Sequence, residues 1–378
     1  MATYKLKDFA KDISVAIKDA QSSPLKRFVG LEHYDSGEPV ITRFTDTSLI
    51  TSSVKEFHEN DILIARRNVY LRRAGIAFFS GLTSGDSIIL RIYDDCEEKT
   101  GIPKEDAIKI IPFILNSNNF WNYANKHADG MNSKRISKEM LYDYEFDLPS
   151  LAEQKILADK LWAAYRLKES YKKLLAATDE MVKSQFIEML SNSGYEEKSL
   201  GELCDKITDG SHNPPKGNDG SEYLMISSKN VFIDGLDLAD VRYLSKDEFD
   251  LENKRTEVKK NDILLTIVGT IGRTYLVKGN EGNIVMQRSV AVLKPSDKVN
   301  PLFMMYSLHI DENLEKEGRG NAQKGVYLKQ LSQFKIKVPS LDIQNNFCSI
   351  YQQADKSKFE LRKSIEAIDA VIKSLINN

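Results

Sequence analysis

Two short segments hold residue types that known enzymes use on nucleic acids. Asn213-Pro-Pro-Lys216 has the first three residues of the Asn-Pro-Pro-aromatic element of adenine amino-methyltransferases. There the Asn and backbone carbonyls hold an exocyclic amine while the ring stacks on an extruded base. Lys216 cannot stack in that way, and no Gly-rich loop for a methyl donor lies upstream. Ile267-Val-Gly-Thr-Ile-Gly272 lies downstream and lacks the Phe-x-Gly-x-Gly pattern. Glu257-Val-Lys259 has the Glu-x-Lys form of a metal-dependent nuclease, but it has no Pro-Asp partner upstream and reads as part of a charged surface segment, Lys254–Lys260. No Gly-x-x-x-x-Gly-Lys-Ser/Thr loop offers a phosphate cradle. The histidines at 33, 58, 127, 212 and 309 form no metal-ligand pair, and Cys96, Cys204 and Cys348 match no zinc or redox spacing. The sequence predicts neither a catalytic centre nor a metal site, and it predicts reduced thiols.

The remaining polar groups suit the reading of DNA. Thr208–Gly217 is a polar turn kept extended by two prolines, and it offers Ser211, His212, Asn213 and Lys216. Exposed groups of this kind can reach base edges, where sequence is read. Arginine meets guanine O6 and N7 with one fork. Arg66, Arg67, Arg72 and Arg73 fall in a stretch free of acids between Asp61 and Asp86. A second acid-free stretch between Glu317 and Asp342 holds Arg319 and Lys324. Arg273, Gln287 and Arg288 lie beside β-like runs, and Arg43, Lys134 and Arg135 complete the candidates. The formal net charge of −2 argues against indiscriminate nucleic-acid binding, so any basic face is local.

The elements that position these groups occur twice. Leu148-Pro-Ser-Leu-Ala-Glu-Gln154 returns as Val338-Pro-Ser-Leu-Asp-Ile-Gln344, and Asn60-Asp-Ile-Leu63 returns as Asn261-Asp-Ile-Leu264. Leu6, Phe9 and Ile13 have helical spacing that Leu200, Leu203 and Ile207 repeat. Landmarks recurring in one order indicate internal duplication. Strands are expected at Phe28–Leu31, Ile62–Ala65, Gly75–Phe79 and Ser87–Ile92, and again at Tyr223–Ile226, Ile263–Val268, Thr274–Val277 and Ser289–Leu293. A helix follows each set, at Ile111–Ala128 and Pro301–Glu317. With 378 residues, 41% of them hydrophobic, the chain has room for two or three domains. It has no long uninterrupted apolar segment, and its first residues lack a signal-peptide core, so it reads as cytoplasmic.

Two helical tails carry the strongest periodicity. Phe347, Tyr351, Ala354, Lys358, Leu361, Ile365, Ile368, Ile372 and Leu375 alternate by four and three. An offset of 190 maps the first eight onto Leu157, Leu161, Ala164, Lys168, Tyr171, Leu175, Thr178 and Val182. Such a seam marks a helix that packs on another helix. Tails of about 40 residues would run about 60 Å at 1.5 Å per residue. Packed on each other as an antiparallel pair, they would shield both stripes.

Together these features resemble the specificity (S) subunit of type I restriction-modification systems, over essentially the whole chain. The carriers are the duplicated Pro-Ser-Leu-x-x-Gln with its long helix, Lys183-Ser-Gln-Phe-Ile-Glu-Met189, Asp355-Lys-Ser-Lys358, the Asp209-Gly-Ser-His212 loop and the 261–273 run with its two glycines. The resemblance implies mixed α/β target-recognition domains at 1–148 and 195–338. It implies conserved helices at 149–194 and 339–378 that form an antiparallel coiled coil with pseudo-twofold duplication. Each domain would read half of a split double-stranded DNA site, and the helices would set the unread gap. Two modification subunits would dock on the scaffold and methylate adenine with S-adenosylmethionine of their own. Restriction subunits would bring ATP- and Mg-dependent translocation and cleavage. This chain would bind no cofactor and catalyse nothing. The Asp-Gly-Ser-His loop has no counterpart in the first half, so Arg43 and the Arg66–Arg73 segment must do different work there. Two other readings stand beside this one: a coiled-coil scaffold with protein-binding end domains, and a solitary DNA-modifying enzyme.

Overall fold

The computed structural model describes residues 2–191, 194–217, 220–318 and 324–377. Its contacts fall into two compact units. The first comprises Met1–Lys173 with Leu361–Asn378, and the second Leu174–Glu360. The fold is mixed α/β, with long helices at Leu151–Leu190 and Leu341–Asn377.

The first unit opens with strand Ala2–Lys5 paired antiparallel to Glu145–Leu148, which leads the chain into the first long helix. Its main sheet runs in the order Ala10–Asp12, Ser87–Ile92, Ile62–Ala65, Ala74–Ala77, each pair antiparallel, with Val40–Ile41 added in parallel. A second sheet contains the parallel pair Arg27–Val29 and Gly81–Ser84. The second unit repeats this plan. Glu196–Ser199 pairs with Lys335–Val338, and the main sheet runs Cys204–Asp209, Val290–Pro295, Ile263–Thr266, Thr274–Leu276. The parallel pair is Tyr223–Ile226 with Asn283–Met286. The pair leading into the helix, the four antiparallel strands of the main sheet and the parallel pair match in order and sense, so the duplication in the sequence is a duplication of structure.

The repeated words are structural devices. In both copies of Pro-Ser-Leu-x-x-Gln the glutamine is buried and its Nε2 donates back to the proline carbonyl. The distances are 2.9 Å from Gln154 to Pro149 and 2.8 Å from Gln344 to Pro339. This bond satisfies an acceptor at the helix start, where free backbone groups are concentrated. Gln344 Oε1 also accepts from Asn300 N at 2.8 Å, ahead of helix Pro301–Ile310. The matching position ahead of helix Lys104–Ile114 is Pro103, which has no N–H to give, and Gln154 Oε1 is left without a partner.

Asn-Asp-Ile-Leu is a tight turn into a buried strand. Asn60 and Asn261 have φ of 69° and 72°, a left-handed conformation that Asn tolerates better than most residues. The next residue, Asp61 or Asp262, accepts the backbone N–H of His58 or Lys259. Both carboxylates are buried, and each meets a cation on the facing strand, Arg91 or Lys294. Arg91 holds Asp61 with two bonds of 2.7 Å. Removing one partner of such a buried pair costs about 3–5 kcal/mol.

The long helices follow the seam. Leu157, Leu161, Ala164, Lys168, Tyr171, Leu175 and Val182 are buried or half-buried, as are the nine seam residues from Phe347 to Leu375. In the first unit Leu161 and Ile372 share one core with the sheet, and Leu157, Ala164, Ile368 and Leu375 pack against it. In the second unit Val182 and Phe186 join Phe347, Tyr351 and Ala354. The start of one helix therefore meets the end of the other in both units, which is antiparallel pairing. Both stripes also serve the globular cores. Trp162 donates to Lys109 O at 2.9 Å and packs against Phe113, while Phe186 packs against Phe303 and Tyr306.

The seam lysines form reciprocal ion pairs. Lys168 reaches Asp369 and Glu38, each at 2.7 Å. Lys358 reaches Asp179 at 2.8 Å and Asp234 at 3.9 Å. Lys168 to Lys358 and Asp179 to Asp369 are both steps of 190 residues, so one contact is the duplicate of the other. Each lysine also ties the helix pair to a loop of its own unit.

Two expectations need correction. Leu6–Phe9 and Leu200–Leu203 are helices of four residues, and the next residue is extended in both. Ile13 lies beyond strand Ala10–Asp12, and Ile207 pairs with Leu293 inside its sheet. Strand pairing takes the residue that spacing assigned to a helix. The helix expected at Ile111–Ala128 is two, Lys104–Ile114 and Asn118–Lys126, because the Ser117 hydroxyl caps a new start by accepting from Phe120 N. Pro301–Glu317 likewise divides at Asp311, which is extended, into Pro301–Ile310 and Asn313–Lys316.

Candidate nucleic-acid interface

In the second unit the Asp209-Gly-Ser-His212 loop leaves the end of strand Cys204–Asp209. Ser211 is buried, with its N–H on Met286 O at 2.8 Å and its carbonyl on Arg288 N at 2.9 Å. Gly210 lies so close to the neighbouring strand that an added Cβ would stand 1.9 Å from Met286 O. Only glycine fits there. Ser211 also makes a parallel bridge to Gln287, which is half-buried. The Asp209 carboxylate is buried and accepts from Arg255 Nη2 through Oδ1 and from His212 Nε2 at 2.8 Å through Oδ2. Arg255 Nε donates to Asp209 O at 2.8 Å.

Beyond this bracket the groups face solvent. His212, Asn213 and Lys216 are exposed, as are Arg288 and Lys324. His212, Arg255, Arg288 and the exposed Tyr327 border one recess of about 500 Å³. Arg273 lies elsewhere, with its guanidinium 4.5 Å from the Phe232 ring centre. Arg319 lies outside the described residues.

In the first unit the fold brings two distant basic segments together. Arg67 makes an antiparallel bridge to Arg135, and Asn68 N donates to Lys134 O at 2.8 Å. Val268 and Gly325 make the corresponding bridge in the second unit. Arg67 and Arg135 share Asp86, at 3.9 and 3.6 Å. With Lys134 and Tyr70 they form an exposed basic rim that carries an aromatic ring. Other candidates are tied inward. Arg73 donates to Leu31 O and Arg67 O, and burial pulls its pKa down. Arg72 holds Asn118, whereas Arg43, bonded to Glu32 O and Asp35, stays half exposed. Arg66 is half-buried, and its carbonyl accepts from Ile136 N.

The register bears out that the first half keeps no counterpart to Asp209: Leu90 and Leu293 face the matching residues Ile62 and Ile263, so Asp12, opposite Leu90, stands where Ile207 stands opposite Leu293. Around Asp12 stands Lys55, whose pKa burial lowers against the pull of that carboxylate. Arg255 escaped sequence reasoning. It lies in the charged 254–260 segment, and nothing local marks it; only folding brings it to Asp209. Tyr70 and Tyr327 did leave a signal, as aromatics inside or beside acid-free basic stretches.

Residues 192–369 match the family described as type I restriction modification DNA specificity domain. The chain is 27% identical over 293 residues to the type I restriction enzyme EcoBI specificity subunit of Escherichia coli, a match covering 67% of this chain and 61% of that protein. It is similar to a solved chain from work on complex assembly and conformational transition of the type I R-M system, with 17% identity, TM-score 0.54, and 99% and 96% of the two chains covered. It is also similar to the crystal structure of a type I restriction-modification system S subunit from M. genitalium, with 12% identity, TM-score 0.57, and 99% and 94% covered. At those identities the structural likeness concerns the fold.

Proposed function

We propose that this chain, whose residues 192–369 match the family described as type I restriction modification DNA specificity domain, is the sequence-reading subunit of a type I restriction-modification complex. Specificity subunits are recognition components and not catalysts. The observation that carries the reading is what was kept and what drifted between the halves. Helix starts, turns into strands, sheet order and seam ion pairs are repeated, whereas the exposed rims differ. One rim carries Arg67, Lys134 and Arg135, and the other His212, Arg255 and Arg288. Equal scaffolds with unequal rims suit a molecule that reads two different half-sites of one double-stranded DNA target.

In this reading the helix pair sets the unread gap and receives two modification subunits. Those subunits supply S-adenosylmethionine, and restriction subunits supply the ATP- and Mg-dependent steps. The work takes place in the cytoplasm. No helix among the described residues is long and apolar enough to cross a membrane.

DNA retention by the complex of this chain with its modification partner tests the proposal. The expected result is a preference for one split sequence, and an affinity falling linearly on a log–log plot against salt by about 0.9 per neutralised phosphate. Retention without salt dependence, or none, would favour a scaffold with protein-binding ends. Transfer of labelled methyl groups by the lone chain would favour a solitary enzyme.

A further inference from the structure

Resting on that function, we propose that Asp209 is a positioning residue that presents Arg255 and His212 as a two-pronged reader of a guanine and a neighbouring amine-bearing base in the half-site of the second unit. The argument starts from which edges are already used. Arg255 spends Nε on the Asp209 carbonyl and one Nη2 proton on the Asp209 carboxylate. Its Nη1 protons and the outer Nη2 proton remain directed away from that bond. Those end-on donors form the fork that meets guanine O6 and N7 together.

His212 is fixed by the other oxygen of the same carboxylate. Its Nε2–H donates to Asp209 Oδ2, so in the neutral ring Nδ1 carries the lone pair. An acceptor at that point suits the exocyclic amine of adenine or cytosine. The two side chains are 47% and 56% exposed, while the carboxylate that holds them is 9% exposed. A buried anchor with two solvent-facing arms has lost rotamer freedom before any ligand arrives, which reduces the cost of binding. Held by opposite oxygens of one carboxylate, the arms can address adjacent base pairs about 3.4 Å apart. Gly210 and the buried Ser211 fix the backbone between them.

The test is a base-resolution map of methylated sites for the complex of the full chain with its modification partner. Arg255→Lys keeps the charge and loses the fork, and His212→Ala removes the second arm. Both residues are exposed enough for the variants to fold, and Asp209→Ala is avoided for that reason. The expected result is that Arg255→Lys loses roughly 10- to 100-fold discrimination at a single guanine of one half-site. His212→Ala should relax the adjacent base, and the other half-site should stay intact in both. An unchanged map would overturn the inference, and so would uniform weakening at every site, the sign of a phosphate contact. A wild-type complex with no split preference would instead overturn the function on which the inference rests.

Discussion

Replacing Lys168 by Met tests the account of the helix pair in detail. The ammonium is almost fully buried and lies 2.7 Å from both Glu38 and Asp369. Met fills similar space and takes the ammonium from both carboxylates. Breaking a fully buried pair costs about 3–5 kcal/mol. Two features reduce that figure: Asp369 is 39% exposed, and Lys172 still holds Glu38 at 3.0 Å. A loss of about 2–4 kcal/mol is expected. Lys358→Met should cost less, about 1–2 kcal/mol. Its nearer partner, Asp179, is 59% exposed, and Asp234 is 3.9 Å away. Guanidinium unfolding measures both. Trp121 and Trp162, the two tryptophans of the chain, belong to the first unit, so their emission follows that unit. Lys168→Met should move the tryptophan transition, and adding Glu38→Gln and Asp369→Asn should recover much of the loss by removing the carboxylate charges. The reasoning is refuted if Lys168→Met unfolds with wild type, or if Lys358→Met is the more damaging.

Three further outcomes follow from the structure. Gly210→Ala drives a methyl group into the Met286 carbonyl and should cost about 1–3 kcal/mol or more, read as a fall in the melting temperature of the second unit with the tryptophan transition unmoved. Burial holds the His309 pKa below its usual 6.5. The unfolded chain therefore takes up that proton first, and the second unit should lose stability as pH falls below 6.5, with a shallower slope in His309→Gln. Removing one heptad from each long helix shortens it by about 10.5 Å. Methylation maps should then keep both half-sites and close the gap by about 3 bp, at 3.4 Å per pair.

The scaffold was legible because its signals are local. A glutamine folding back on a proline five residues earlier, or an Asn-Asp turn into a strand, is written in adjacent positions and repeats with the duplication. The seam was legible for the same reason, down to its lysines, although the carboxylates that neutralise them were not. Asp369 and Glu38 meet Lys168 only after folding, from separations of 201 and 130 residues. For the candidate rims, residue types were legible and adjacency was not. Arg67 and Arg135 were both candidates, but their adjacency depends on a bridge between segments far apart in the chain. Arg73 is of the same type, but it is partly buried and its donors are occupied by carbonyls. Arginine content does not tell which guanidinium faces outward. The short helix starting at Leu6 was overextended because spacing by three and four does not register the sheet that claims Ala10–Asp12.

The central claim is that two unequal rims on one duplicated scaffold read two different words of DNA. Mapping every methylated adenine in cells that express this chain with its modification partner tests it most directly. The account predicts one asymmetric sequence split by a constant unread gap. A single uninterrupted recognition sequence, two identical half-sites, or methylation without sequence preference would contradict it.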